Sequence, residues 1–301
     1  MKNVVVPPGH RSGRNNDGVA VTRLVLNSTV LEVDGPLLVG VLNATPDSFS
    51  DGGLFRSSKE AVERGLQLVS DGAHVVDVGG ESTRPGALSV SLGEELRRVL
   101  PVVSALAAEG VAVSIDTRHA EVAEAAIEHG AAIVNDVSGL RHHAMREVIA
   151  RHHVPVVIVH SPVDDPSVMQ QHSQYDDVVA AVVDFLRVRI DEALRAGISQ
   201  VIVDPGIGFG KTTAQNLEIL RRLEELSTFG VPVLVGASRK RFIGEITGVD
   251  VPADRIIGSV VAHLSALDRG ASMLRVHDVR AHVEAVRMWQ ALRTGSTHSL
   301  D

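Results

Sequence analysis

Three acidic or amide side chains each end a strongly apolar run: Asp116 in VSIDTR, Asn135 in VNDVSG and Asp204 in VIVDPGIG. A run of that kind reads as a buried strand, so the polar group at its end is delivered, partly desolvated, to the edge of a sheet. Carboxylates and amides held there make directional hydrogen bonds, the equipment for recognising a nitrogen-rich heterocycle rather than a hydrocarbon. One alone could be a helix cap or a turn former; three together argue for a ligand. A second set is cationic: Arg239, Lys240 and Arg241 follow small residues in GASRKRF, and Arg275 and His277 lie in LRVHDV. In a chain of net charge −8 (29 Lys and Arg against 37 Asp and Glu), cations gathered at two strand ends make a local anion site. Arg84, followed by a Pro-Gly turn, offers a stiffly held guanidinium suited to a carboxylate or phosphate.

Two of the six phenylalanines, Phe49 in LNATPDSFSDGG and Phe209 in DPGIGFGKTT, fall in Gly-rich loops rather than in core runs. The second loop imitates two nucleotide signatures and satisfies neither. A P-loop needs glycine where Pro205 stands, and a dinucleotide fingerprint needs glycine where Lys211 stands. Its glycines instead let the backbone pass close to a ligand, with Phe209 beside it. No Ser-His-Asp order can be read, and Ser238 lacks a nucleophile elbow. His142 with His143 and His152 with His153 lie in or beside helical stretches without nearby carboxylate pairs at useful spacing, which argues against metal ligation. Any metal is expected to be Mg²⁺, held by a phosphate and one or two protein oxygens.

The elements that must position these groups alternate between short β-branched runs and amphipathic stretches, the pattern of a parallel sheet. Strands are expected at Leu38–Leu42, His74–Val78, Ala112–Ile115, Ala131–Val134, Pro155–Val159, Gln200–Val203, Val231–Val235 and Ser272–Val276. Helical patterns lie between them, one with Ser58 as a cap and Gly72 as a stop, another ending at Gly130. The strands end in Asn43, Asp77, Asp116, Asn135, His160, Asp204, Gly236 with Ser238 and Lys240, and Arg275 with His277. An open doubly wound sheet would carry its Gly-rich fingerprint after the first strand, where NATPDSFSDGG stands instead. In a closed barrel all eight ends converge on one mouth, where such enzymes place their chemistry. The fold expected is therefore a (β/α)8 TIM barrel, with TRLVLNSTVLEVDG as an N-terminal β-hairpin closing its bottom.

Length and composition agree. The 301 residues, 44% hydrophobic and 22% charged, suit one large globular domain. We read residues 1–18 as a short flexible extension, because Pro, Gly, Asn and Arg dominate there, and 19–301 as a single barrel domain. Cysteine is absent, so a thiolate metal site and a cysteine nucleophile are excluded and the cytoplasm is the default compartment. There is no basic surplus for nucleic acid and no apolar stretch to span or enter a membrane.

Taken in order, GVLNATPDSFSDGG, VVDVGGESTRPGA, VSIDTR, IVNDVSG, VIVDPGIGFGKT, PVLVGASRKRF and LRVHDV closely resemble the dihydropteroate synthase family from about Leu38 to Val279. The resemblance implies a transferase of folate biosynthesis that joins 6-hydroxymethyl-7,8-dihydropterin pyrophosphate to 4-aminobenzoate and releases pyrophosphate. It implies that Asp116, Asn135, Asp204 and Lys240 bind the pterin, with Gly236 and Arg275 lining its pocket. Asn43 would contact Mg²⁺ beside the pyrophosphate, and Arg275 and His277 would hold that anion and touch only the leaving group. Thr83, Arg84, Pro85, Phe209 and Ser238 would form the aminobenzoate site, joined by Phe49 and Asp77. Catalysis would rest on Asp116, Asp204, Lys240, Arg275 and His277. A homodimer and sulfonamide sensitivity are also implied, the last helix, VRAHVEAVRMWQAL, offering an apolar face.

The chain departs from the family pattern at Ala44, where Val is usual. It departs again after the fifth strand, where VHSPVDDP places Ser161 in the position of a Met that packs on the pterin. Two other readings share the barrel. A non-catalytic pterin-binding paralogue should have lost the Thr83–Arg84 or Arg275–His277 pair, and a pterin-dependent methyltransferase would not need the SRK and RVH groups.

Overall fold

The computed structural model describes residues 13–14, 20–26, 29–44, 54–81, 90–163, 169 and 174–295. Eight parallel strands form the expected barrel: β4 (Leu37–Asn43), β5 (Val75–Gly79), β6 (Val113–Asp116), β7 (Ile133–Asp136), β8 (Val156–Val159), β9 (Val201–Asp204), β10 (Leu234–Val235) and β11 (Met273–Val276). Each pairs with the next from β4 to β9, β10 pairs with β11, and β11 pairs with β4. The seam between β9 and β10 closes through one parallel bridge, Val203 to Val233, with Val203 N donating to the Pro232 carbonyl at 3.0 Å. The seventh strand is thus shorter than the expected Val231–Val235, because Pro232 has no N–H to give a ladder.

Helices cover the outside: α1 (Leu54–Ser70), α2 (Leu92–Ala108), α3 (Ala120–Glu128), α4 (His143–His152), α5 (Val178–Arg195), α6 (Thr213–Arg221), the one-turn α7 (Glu224–Ser227), α8 (Arg241–Thr247), α9 (Ile256–Asp268) and α10 (Val279–Thr294). The stops at Gly72 and Gly130 hold, both at positive φ. Ser58 does not cap α1. The helix begins four residues earlier, at Leu54, and Ser58 lies inside it. No described helix is long and apolar enough to cross a membrane.

The period of two along each strand sorts side chains between two cores. Outward residues such as Val76, Val78, Val113, Ile115 and Val134 pack beneath the helices. Inward ones, Leu37, Val39, Val75, Ile133, Val157, Ile202, Leu234 and Met273, fill the barrel's lower half. Two residues further along the same faces the apolar layer gives way to Asp77, Asn135, Asp204, Gly236 and Arg275. The barrel is therefore greasy at the bottom and ionic at the mouth.

The bottom is closed as the alternation implied. Strands β2 (Ala20–Leu26) and β3 (Thr29–Asp34) form an antiparallel hairpin in register Thr22 to Val33 and Leu26 to Thr29. Its Leu24 and Leu26 join the inner cluster. Gln200, just before β9, fastens it: its amide oxygen accepts from Val25 N and its Nε2 donates to Val25 O, each at 2.9 Å. A two-residue strand, β1 (Gly13–Arg14), pairs with β2. It falls within the segment read as an extension, the rest of which lies outside the described residues.

Candidate active site

Arg275 is the hub of the mouth. Projecting inward from β11, it donates from Nε to Asp77 Oδ2 at 2.7 Å and from Nη2 to Asp116 Oδ2 at 2.6 Å. Asn135 donates from Nδ2 to the same Asp77 oxygen at 3.1 Å. Neighbouring strands β5, β6 and β7 thus bring Asp77 together with Asp116 and Asn135, which stand one layer nearer the rim, and Arg275 reaches across from the other side of β4. Two buried acceptors in this cluster, Asp77 Oδ1 and Asn135 Oδ1, have no hydrogen-bond partner among the described residues. Unpaired acceptors in a protein interior are costly, so they mark a place for a ligand bearing N–H donors.

Asp204 and Lys240 complete the ring. Asp204 Oδ1 accepts from Gly206 N at 2.6 Å, and Gly236 lies between it and Arg275: a Cβ there would stand 3.7 Å from Asp204 Oδ2 and 3.8 Å from Arg275 Cβ. Lys240 Nζ sits 4.4 Å over the Phe209 ring, a cation–π contact. Gly208, at φ +83°, makes room for this lysine, since a Cβ would come within 2.9 Å of its Cδ. Gly206 is stricter: at φ +66° a Cβ would fall 1.9 Å from the His160 carbonyl.

Burial governs the charges. It pushes the Asp116 carboxyl up to about 7, opposed chiefly by Arg275 and reinforced by Asp77 and Glu95. Asp204 is raised for the same reason, against the Gly206 hydrogen bond and nearby cations. Lys240 is lowered to about 8 by burial and then by Arg275, while Asp204 and Asp116 oppose the fall.

Of the three cations in SRKR, only Lys240 joins this ring. Arg239, at φ +60°, turns to Asp278 and donates from Nε at 2.9 Å and Nη2 at 2.5 Å. Arg241 is exposed and pairs with Glu245 one turn along α8. Ser238 contacts His277 instead, its Oγ lying 3.2 Å from His277 N and 3.0 Å from Nδ1. Arg275, expected at the leaving group, also stands between two carboxylates of the mouth, which its guanidinium bridges. Asp77, read with the aminobenzoate residues, belongs with Asn135 and Arg275 in the floor of the mouth. Asn43 ends β4 half-buried. Phe49, Thr83, Arg84 and Pro85 lie outside the described residues.

Sequence reasoning missed Lys211, which it used only to dismiss a fingerprint. This buried lysine donates to Gly206 O at 2.8 Å and Phe209 O at 3.0 Å and lies 3.0 Å from His160 Nδ1. It therefore holds the glycine loop on which Phe209 rides. Burial lowers it to about 7, with Asp204 opposing, and drives His160 well below its ordinary value, so His160 is the acceptor in that contact. Ser161 is buried, its Oγ donating to Val163 O at 2.5 Å. Glu81, Glu95 and His119 cluster near the mouth, but Thr117 and His119 engage Glu95, and Arg118 engages Glu81.

Fold and mouth together define a (β/α)8 barrel whose C-terminal face gathers buried carboxylates, an amide and cations. The chain belongs to the pterin binding enzyme family, whose model matches residues 39–277. It is 46% identical over 260 residues to dihydropteroate synthase of Mycobacterium leprae (strain TN), covering 83% of this chain and 91% of that one. It is 42% identical over 272 residues to the Escherichia coli (strain K12) enzyme of the same name, covering 89% and 96%. Among solved structures, Xanthomonas albilineans dihydropteroate synthase with 4-aminobenzoic acid superposes with a TM-score of 0.85 at 49% identity, covering 90% of this chain and 98% of that one. The Thermus thermophilus enzyme in complex with 6HMPPP gives 0.81 at 48%, covering 91% and 100%.

Proposed function

We propose that this protein is a dihydropteroate synthase, a transferase that joins 6-hydroxymethyl-7,8-dihydropterin pyrophosphate to 4-aminobenzoate. The observation that carries the reading is the pair of orphaned acceptors, Asp77 Oδ1 and Asn135 Oδ1, in a mouth that also holds Asp116, Asp204, Lys240 and Arg275. A pterin edge is rich in N–H donors and satisfies such acceptors as no hydrocarbon could. Asn135, Asp204 and Lys240 bind the pterin, with Gly236 leaving room for the flat ring.

In the reaction the bond between the pterin methylene carbon and the pyrophosphate oxygen breaks, and the electron pair leaves with pyrophosphate. The carbon gains positive character, which Asp116 and Asp204 stabilise from fixed positions in a poorly hydrated site. Arg275 and His277 receive the departing anion. The aromatic amine of 4-aminobenzoate then forms the new C–N bond and gives up a proton, a step that needs mainly positioning. Phe209 and Ser238, with Phe49, Thr83, Arg84 and Pro85, are the residues proposed to hold it.

Mg²⁺ is the proposed cofactor. An amide oxygen from Asn43 is a hard ligand of the kind that ion accepts, and Asn43 stands at the rim, half-buried, where pyrophosphate and water would supply the remaining oxygens. When bound, the ion neutralises charge on the leaving group. We place the enzyme in the cytoplasm as a homodimer. Supporting the dimer is a face of exposed apolar side chains on α9 and α10, with Ile257 81% and Leu292 74% exposed beside Val261 and Met288. A coupled assay for pyrophosphate release decides the activity: release that requires both substrates is expected, and none with both present overturns the reading.

A further inference from the structure

Helix α9 turns two fully buried polar side chains, Ser259 and His263, toward the loop that follows β10. Arg239 N donates to Ser259 Oγ at 2.9 Å and Ala237 N donates to His263 Nε2 at 3.0 Å. Behind it, His263 Nδ1 meets His282 Nε2 of α10 at 2.8 Å, and His282 Nδ1 meets the Asp278 carbonyl at 2.7 Å. A backbone amide can only donate and a carbonyl can only accept, so the proton order is fixed from both ends. Each ring accepts at Nε2 and donates from Nδ1. Both are neutral in that arrangement, and a proton added to either would set two N–H groups against each other. Burial lowers both rings: His282 reinforces the fall at His263 while the Val235 carbonyl opposes it, and Asp278 opposes it at His282.

Neither ring reaches the mouth, yet the chain spans the two loops that line it. Ser238 sits between the two clamped amides, and His277 adjoins the residue whose carbonyl ends the chain. The Ser238–His277 contact at 3.0 Å is thus held from behind. We propose that His263 and His282 are positioning residues, a neutral imidazole pair that locks the loops after β10 and β11 at the spacing the aminobenzoate and pyrophosphate subsites need. This rests on the synthase reading above.

Nuclear magnetic resonance on the full chain with ¹⁵N-labelled histidine, at about pH 6.5, the ordinary histidine midpoint, reads the tautomers without any substrate. Both rings are expected as neutral Nδ1–H, the form histidine in water disfavours; a protonated or Nε2–H ring at either position overturns the chain. In steady-state assays, His263→Phe removes the acceptor of a buried N–H. It should raise KM for 4-aminobenzoate about tenfold while kcat stays within about twofold, and His263→Gln, which can still accept from Ala237 N, should recover most of that loss. His282→Phe, which leaves the Ala237 bond in place, should shift KM in the same direction and covers the case in which His263→Phe fails to fold. Unchanged KM in the Phe variants, or a fall in kcat alone, refutes positioning. A wild type that releases no pyrophosphate would instead sink the synthase reading and leave the tautomer result standing.

Discussion

Replacing Arg275 with alanine should destabilise the folded protein before it touches catalysis. The guanidinium bonds Asp77 Oδ2 at 2.7 Å and Asp116 Oδ2 at 2.6 Å, and these carboxylates have side chains only 1% and 9% exposed. Breaking a buried pair by removing one partner leaves an uncompensated charge and costs about 3–5 kcal/mol. At about 2 °C per kcal/mol for a domain of this size, Tm should fall by about 6–10 °C. The sign of the pH dependence follows from the same geometry. Burial already raises Asp116 to about 7 against the pull of Arg275, and without that arginine the raised value climbs further above the unfolded one, near 3.9. Across that window the folded variant binds more protons than the unfolded chain, so its stability increases as pH falls, by up to about 1.4 kcal/mol per unit from Asp116. The deficit relative to wild type should therefore be larger at about pH 8 than at about pH 6, in thermal or denaturant unfolding. Adding Asp77→Asn to Arg275→Ala should recover part of it, since one stranded charge is gone. A deficit below about 1 kcal/mol, or one unchanged with pH, would refute the claim that the guanidinium holds two buried carboxylates together.

His277, whose ring Nδ1 lies 3.0 Å from Ser238 Oγ, gives a second test of the anion subsite. By calorimetry, His277→Ala should weaken the pyrophosphate-bearing pterin about tenfold or more and free pterin little; equal losses would put the anion elsewhere. For the free enzyme, kcat/KM should rise with pH through about 7 as Asp116 ionises and fall through about 8 as Lys240 loses its proton. Lys240→Arg should abolish the alkaline limb, and a profile flat from about pH 6 to 9 would remove both groups from the mechanism. Sulfonamides, which share the aromatic amine and outline of 4-aminobenzoate, should inhibit competitively with it, and non-competitive inhibition would move that pocket away from Ser238 and Phe209.

What was legible beforehand divides along physical lines. A buried parallel strand must be apolar on both faces, so the eight runs stood out, and the polar residue that ends each one marked the mouth. Strand length depended on ladder partners, which is why Pro232 shortened β10 unannounced. Asp116, Asn135, Asp204 and Lys240 were visible as types at strand ends and do converge. Partnership was not visible: nothing local distinguishes Arg239, tied to Asp278, from Lys240, poised over Phe209. Lys211, His263 and His282 were missed for a related reason, since a lone lysine in a glycine loop or histidines on two amphipathic helices reveal their bonds only when distant segments meet.

The hairpin floor makes the barrel a vessel with a single door. Leu24 and Leu26 stopper the lower end and Gln200 latches the stopper to β9, so among the described residues the way to Asp77 and Asn135 lies through the rim where Lys240 and Phe209 stand. Traffic in such a vessel runs last in, first out. On the assignment proposed above, a pterin that settles on the deepest acceptors would have to arrive before an aminobenzoate seated above it, and the joined product would back out with its aminobenzoate end leading. An aminobenzoate that arrives early stands in the doorway of its own reaction partner.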